Sequence, residues 1–248
     1  MIDIHNHILP GLDDGAGDIY DTIEMAHIAV DSGITAIVAT PHCNIPGLYE
    51  NYFDREYKEA YMKAVNALKR ENIPLRLLPG MEIFATEHIV DLIKMKKVIT
   101  LNKSRYILIE FDFNEDPEYA DIILRQVREL GLIPIIAHVE RYEFVQQNPS
   151  IVYKWRERGY CIQINKSSFL GKFGNAAQKI AYLLLDKGGA TVIASDAHTP
   201  YRRTPYLLEV YEELLYDYSK EYLSVLLKKN PYRICKNKEI IPLNPVEI

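Results

Sequence analysis

Cysteine is scarce in this sequence. Cys43, Cys161 and Cys235 are odd in number and far apart, with no Cys-x-x-Cys pair. That excludes a disulfide framework and a thiolate metal knuckle, and it suits a reducing compartment. Long apolar runs are also missing. No stretch approaches the roughly 18 residues needed to span a bilayer. The opening Met1-Ile2-Asp3-Ile4-His5 has no basic region followed by an apolar one. A cytoplasmic protein without membrane insertion is therefore expected. Basic residues are in deficit: 29 Lys and Arg face 34 Asp and Glu, a net charge of -5. This argues against general nucleic-acid binding, which needs Lys and Arg on phosphates. It leaves anionic substrates open, because bound metal ions can reverse the local field. There is no low-complexity linker, internal repeat or convincing boundary, so one domain spanning residues 1–248 is expected.

What is present is an alternation. Short β-branched runs predict strands at 1–5, 35–40, 75–83, 106–111, 133–138, 160–164 and 191–195. They are mostly continuous rather than alternating in polarity, as parallel strands covered on both faces should be. Helical patterns separate them. Residues 19–32 place Ile23, Ala26, Ala29 and Val30 on one stripe, with Gly33 as a stop. Further helices are predicted at 55–72, 117–130 and 175–187, and one or two more between 205 and 229. Repeated β-α order implies a parallel sheet with right-handed crossovers. No Gly-x-Gly-x-x-Gly follows the first strand. A closed or distorted α/β barrel is therefore preferred to an open dinucleotide-binding sheet.

The ionisable residues fall in a pattern. His5, His7, His42, His138 and His198 stand at or just past predicted strand ends. Glu82, Glu110 and Asp196 do the same. In an α/β barrel these ends converge on one rim, where such enzymes place their chemistry. His5 and His7 are two apart, so in extended backbone they share a face, roughly 6.6 Å apart at Cα. Imidazoles so placed can reach a common ion at about 2.0–2.1 Å each. Asp196 and His198 repeat the spacing. Any one of these residues alone is more often a hydrogen-bonded core histidine or a solvated strand end, and His27 and His88, on predicted helices, are read that way. Jointly they demand cations, since burying unpaired carboxylates together is strongly unfavourable. Mixed N and O donors without thiolate are compatible with Mn²⁺, Fe²⁺ or Zn²⁺, and so many donors suit two or three ions.

Several motifs then match in order. They are Asp3-Ile4-His5-Asn6-His7-Ile8-Leu9-Pro10 with Asp13-Asp14-Gly15, Ala39-Thr40-Pro41-His42, Gly80-Met81-Glu82-Ile83, Tyr106-Ile107-Leu108-Ile109-Glu110-Phe111, Ala137-His138-Val139-Glu140-Arg141-Tyr142 and Ala194-Ser195-Asp196-Ala197-His198. The chain thereby resembles the PHP (polymerase and histidinol phosphatase) family. Within it, the likeness is to the bacterial capsule-biosynthesis protein-tyrosine phosphatases of the CpsB/YwqE type. The resemblance implies a distorted (β/α)7 TIM-like barrel with three divalent ions, usually Mn²⁺. It implies one ion on His5, His7, Glu82 and Asp196, a second on Glu82, Glu110 and His138, and a third on Asp14, His42 and His198. Asp14 enters only through the resemblance, with Asp13 as the competing choice. So do Arg141 and Arg203 as phosphate ligands, with Arg202 as the competitor of Arg203. A guanidinium presents a planar fork to phosphate oxygens.

The implied activity is metal-dependent hydrolysis of phosphotyrosyl protein. The implied partner is a bacterial tyrosine autokinase, in capsule or exopolysaccharide regulation. Oligomeric state is left open. The competing thiolate mechanism needs Cys-x₅-Arg, and the arginine positions here read Tyr49, Ser167 and Ile241. Rival readings are a histidinol phosphatase or other small phosphomonoesterase, an amidohydrolase, and a non-enzymatic metal-binding scaffold. Amidohydrolases that open with His-x-His usually carry a metal-bridging Lys where this chain has Glu110. The loops at 43–49 and 199–205 differ from some relatives and bear on the substrate.

Overall fold

The computed structural model describes residues 1–243. Nine parallel strands are formed: β1 (Ile2–Asn6), β2 (Ala36–Ala39), β3 (His42–Cys43), β4 (Arg76–Pro79), β5 (Glu82–Phe84), β6 (Tyr106–Glu110), β7 (Ile133–Ile136), β8 (Cys161–Asn165) and β9 (Val192–Ala194). Eight of them overlap the seven predicted runs, the third of which is broken, and β3 lies just beyond the second run. Pro41, without an N–H, separates β2 from β3. Gly80 interrupts the third between β4 and β5. A Cβ there would lie 2.6 Å from Val38 Cγ1 and 2.9 Å from Leu101 Cδ2. The Tyr57 hydroxyl lies 3.1 Å from the Gly80 N–H and 3.0 Å from its carbonyl, completing both groups at the break.

The breaks pass the chain from one sheet to the other. β1, β2 and β4 form one sheet; β3, β5, β6, β7, β8 and β9 form the second. The seam between β9 and β1 is stitched by Asp196 N–H to His5 O at 2.9 Å and His7 N–H to Ala197 O at 2.8 Å. The ring therefore closes as a distorted (β/α)7 barrel. Its interior is apolar, built from residues such as Ile4, Val38, Leu108 and Ile135. Ile234 and Cys235 of the helix Asn230–Cys235 plug its N-terminal end.

Helices pack outside this ring with their apolar faces on the strands. Ile19–Asp31 is capped by Asp18, whose carboxylate accepts from Tyr20 N–H and Asp21 N–H. Its buried face is Thr22, Met25, Ala26 and Ala29. The expected Ile23 and Val30 are only half-buried, so the stripe is rotated from the predicted one. Arg55–Arg70, Pro117–Glu129 and Gly174–Asp186 match the predicted helices within two residues at each end. The tail continues further than expected, from Leu208 to Cys235 in four segments. One is a wide π turn at Val225–Lys229, just before Pro231, which has no N–H to give the preceding turn. Short helices at Glu143–Gln147, Ser150–Glu157 and Lys166–Phe169 were not signalled by periodicity, and His88, expected on a helix, lies in the turn just before the short helix Ile89–Lys94. Among the described residues no helix is long and apolar enough to cross a membrane.

Candidate metal centre

All nine expected ligand residues lie at the C-terminal rim. β1 carries His5 and delivers His7 just beyond it; both are fully buried. Their Nε2 atoms are 3.3 Å apart. His42 lies in β3, Glu82 opens β5 and Glu110 closes β6. His138 follows β7 with φ +33°, and Asp196 follows β9 with φ +49°. Left-handed backbone at a non-glycine costs about 1–3 kcal/mol and persists only where surroundings enforce it. Both strained residues aim side chains at the rim. His27 and His88 are exposed and lie apart from it.

Glu82 is the hub. Its Oε2 lies 3.0 Å from His5 Nε2, 3.2 Å from His7 Nε2 and 3.2 Å from His42 Nδ1. Its Oε1 lies 2.9 Å from His138 Nε2, which is also 3.7 Å from Glu110 Oε2. Three groups offer donor atoms mutually within 4.8 Å: His5, His7, Glu82 and Asp196; His42, Glu82 and Glu110; and His7, Asp14, His42 and His198. The first coincides with an expected group. The second has His42 where His138 was expected, and the third adds His7 to the expected Asp14, His42 and His198, so His7 and His42 stand between neighbouring groups. Asp14 Oδ1 is 3.4 Å from His198 Nε2 and 3.6 Å from His42 Nε2. Asp13 instead faces the outer side of His7, Oδ2 to Nδ1 at 2.7 Å. The turn that presents both acids needs Gly15, where a Cβ would fall 2.2 Å from His7 O.

These groups fit divalent cations. Glu82 Oε2 and His198 Nε2 are buried and have no hydrogen-bond partner, although both face the cluster. Imidazole and carboxylate without thiolate is a donor set for borderline to hard ions. The protein groups alone compensate with protons. Burial opposes the charged form of His138, but hydrogen bonds to Glu110 and Glu82 raise its pKa to about 9. His7 is likewise raised despite burial, through Asp13, Asp196 and Glu82. Burial would raise the Asp14 carboxyl, yet His198, His42 and His7 hold it at about 2. Glu82 and Asp196 are held well below the carboxylate range against the same desolvation, chiefly by His5.

Behind the rim lies a layer of orienting groups that sequence reasoning missed. Gln163 Oε1 accepts from His5 Nδ1–H at 3.0 Å and from His138 N–H at 2.8 Å. With Nδ1 donating, the His5 Nε2 lone pair is left facing the cluster. Gln163 Nε2 donates to Asn165 Oδ1 at 2.7 Å, and Asn165 Nδ2 donates to Asp196 Oδ2 at 2.6 Å. Buried Glu140 accepts from Asn165 N–H at 3.0 Å and Ser168 Oγ–H at 2.5 Å. β8 thus supplies none of the nine ligands but connects three of them. The available signal was two amides alternating with isoleucine in Ile162-Gln163-Ile164-Asn165.

Arg203 Nη2 lies 2.5 Å from Asp196 Oδ2, and Arg141 Nη1 is 3.9 Å from the same oxygen. Arg202 is exposed. The three cysteines are buried, and desolvation pushes their thiols up to about 12. No thiolate is available for nucleophilic work. A groove of about 670 Å³, lined by Met1, Gly33, Lys228 and Tyr232, is remote from the rim. The donor chemistry, not cavity size, marks the site.

The comparisons agree with this geometry. The family model "Capsular polysaccharide synthesis, CpsB/CapC" matches residues 1–236. Tyrosine-protein phosphatase YwqE of Bacillus subtilis (strain 168) is 39% identical over 244 residues, covering 98% of this chain and 92% of its own. Tyrosine-protein phosphatase CpsB of Streptococcus agalactiae serotype V is 30% identical over 245 residues, covering 97% and 100%. A solved chain from the crystal structures of YwqE from Bacillus subtilis and CpsB from Streptococcus pneumoniae, described as unique metal-dependent tyrosine phosphatases, superposes with a TM-score of 0.93. It is 37% identical and covers 100% of this chain and 99% of its own. A β-aspartyl dipeptidase from Fervidobacterium islandicum AW-1 shares the fold alone, at 16% identity and a TM-score of 0.52 over 97% of this chain and 76% of its own. With the barrel, the rim of imidazoles and acids and the near full-length match all in agreement, this chain belongs to the CpsB/CapC capsular polysaccharide synthesis family.

Proposed function

We infer that the chain is a metal-dependent protein-tyrosine phosphatase, cleaving phosphotyrosyl protein to tyrosyl protein and phosphate. One observation carries the reading: imidazoles and carboxylates at the ends of β1, β3, β5, β6, β7 and β9 meet around Glu82, beside two arginines. Three divalent ions, Mn²⁺ by preference with Fe²⁺ or Zn²⁺ compatible, are assigned to this rim. His5, His7, Glu82 and Asp196 would hold one, Glu82, Glu110 and His138 another, and Asp14, His42 and His198 the third. Such ions supply Lewis acidity and lower the pKa of bound water toward about 7.

The chain's own groups do the rest. Arg141 and Arg203 donate to the free phosphate oxygens and fix the ester for in-line attack. Gln163 and Asp13 hold His5 and His7 with Nε2 toward the cluster. The tyrosyl leaving group, with a pKa of about 10, needs less protonation than an alkyl alcohol. A tyrosine autokinase of the same cytoplasm is the proposed substrate protein. Residues 1–248 are proposed to act as one catalytic domain.

The test pairs elemental analysis with turnover of a phosphotyrosyl peptide and of histidinol phosphate. Chelation should abolish peptide hydrolysis, added Mn²⁺ should restore it, and thiol alkylation should leave it unchanged. Faster turnover of histidinol phosphate would replace this reading with a small-molecule phosphatase. Activity surviving chelation would remove the metal from the account.

A further inference from the structure

Arg141 is held by an arrangement that its ionic partner does not explain. Its nearest carboxylate oxygen, on Asp196, is 3.9 Å away. Two aromatic rings flank it instead: the guanidinium carbon is 4.2 Å from the ring centre of Phe113 and 4.2 Å from that of Phe173. Phe173 also lies 5.7 Å from the guanidinium carbon of Arg203. Neither ring belongs to the apolar core or to the residues packed on it. Phe113 is 37% exposed. Ordinary core packing therefore does not account for them.

The backbone places both rings beside the arginine. Phe113 sits 5.8 Å from the His138 ring, and its carbonyl accepts from Glu143 N–H at 2.9 Å, two residues beyond Arg141. Phe173 immediately precedes the helix Gly174–Asp186, at a turn where Gly171 and Gly174 both have positive φ.

We propose that Phe113 and Phe173 are positioning residues that sandwich Arg141 and so preorganise it for the substrate's phosphate. A guanidinium stacked on both faces keeps only its in-plane N–H groups free, and these are the ones that match phosphate oxygens. Cation–π attraction from two rings fixes the side chain before phosphate arrives, so binding does not have to order it. The proposal rests on the phosphatase reading and on Arg141 as a phosphate ligand.

The test uses the full-length Mn²⁺-loaded protein. Inorganic phosphate is titrated calorimetrically, and KM and kcat are measured on a phosphotyrosyl peptide. Phe173→Leu and Phe113→Leu should each weaken phosphate binding and raise KM about three- to tenfold, with a smaller change in kcat. Phe173→Tyr should restore both within about twofold, because the ring returns. Metal content and melting temperature should stay at wild-type values. Arg141→Ala should cost much less in the Phe113→Leu/Phe173→Leu background than alone. Wild-type phosphate affinity in the leucine variants, or an equal cost of Arg141→Ala in both backgrounds, would overturn the clamp. Wild-type protein that binds phosphate but turns over no phosphotyrosyl peptide would instead sink the phosphatase reading, leaving the clamp to be decided by the phosphate titration.

Discussion

The two ends of this barrel are built on opposite terms. At the N-terminal end, Leu101, Tyr106, Ile234 and Cys235 close an apolar plug. Two polar side chains there pair with backbone: Tyr106 Oη–H to Lys238 O at 2.8 Å and Asn102 Nδ2–H to Cys235 O at 2.9 Å. At the C-terminal rim, buried acids crowd around imidazoles, and Glu82 Oε2 and His198 Nε2 find no hydrogen-bond partner. A groove of about 670 Å³ lies away from the rim, beside Met1 and Tyr232. The same strands thus spend one end on stability and the other on chemistry, and the crowding of buried acids and imidazoles marks the second.

The sharpest break in this contrast is Glu82→Ala. It removes a carboxylate that lies within 3.2 Å of four imidazoles. Turnover of a phosphotyrosyl peptide should fall at least about a thousandfold while circular dichroism stays native. A variant within tenfold of wild type would refute the hub role. Gln163→Ala should act one layer back: metal affinity measured by titration should drop about 10–100-fold, with the barrel intact. Unchanged affinity would make the amide array on β8 a packing feature only.

Acidity should weaken metal uptake. The carboxylates hold protons on His138, to about 9, and raise His7 and His42 as well. Below those values the protonated imidazole must lose its proton to accept an ion. Affinity should therefore fall with decreasing pH, by up to about tenfold per unit for each proton displaced. Mn²⁺ added to weakly buffered protein should release acid, and a pH-independent affinity would contradict this. At the other end, Ile234→Ala should lower stability by about 2–5 kcal/mol through the cavity it leaves, with kcat of the folded enzyme unchanged. A large loss of kcat there would blur the division between the two ends.

Much of the rim was legible because strand ends are legible. A β-branched run followed by His or an acid places that residue on the rim whatever the tertiary detail, and His5 and His7 needed only the two-residue repeat of a strand. The run Leu75–Ile83 was visible, but not its break, because that depends on how closely Val38 and Leu101 approach Gly80 from elsewhere in the chain. Gln163 and Asn165 were passed over for a related reason. Two amides in an apolar strand acquire meaning only once β7, β9 and β1 lie beside them. The choice between Asp13 and Asp14 likewise turns on which side of His7 each acid faces, which chain order does not encode. Phe113 and Phe173 are far apart in sequence, and nothing in either neighbourhood announces a shared arginine.

The central claim is that this rim gathers divalent ions around Glu82. Anomalous diffraction from crystals grown with Mn²⁺, collected on either side of the manganese edge, tests it directly. Peaks are expected among His5, Glu82, His138 and Asp196 and between Asp14, His42 and His198. An ordered rim with these side chains in place and no anomalous signal would contradict it.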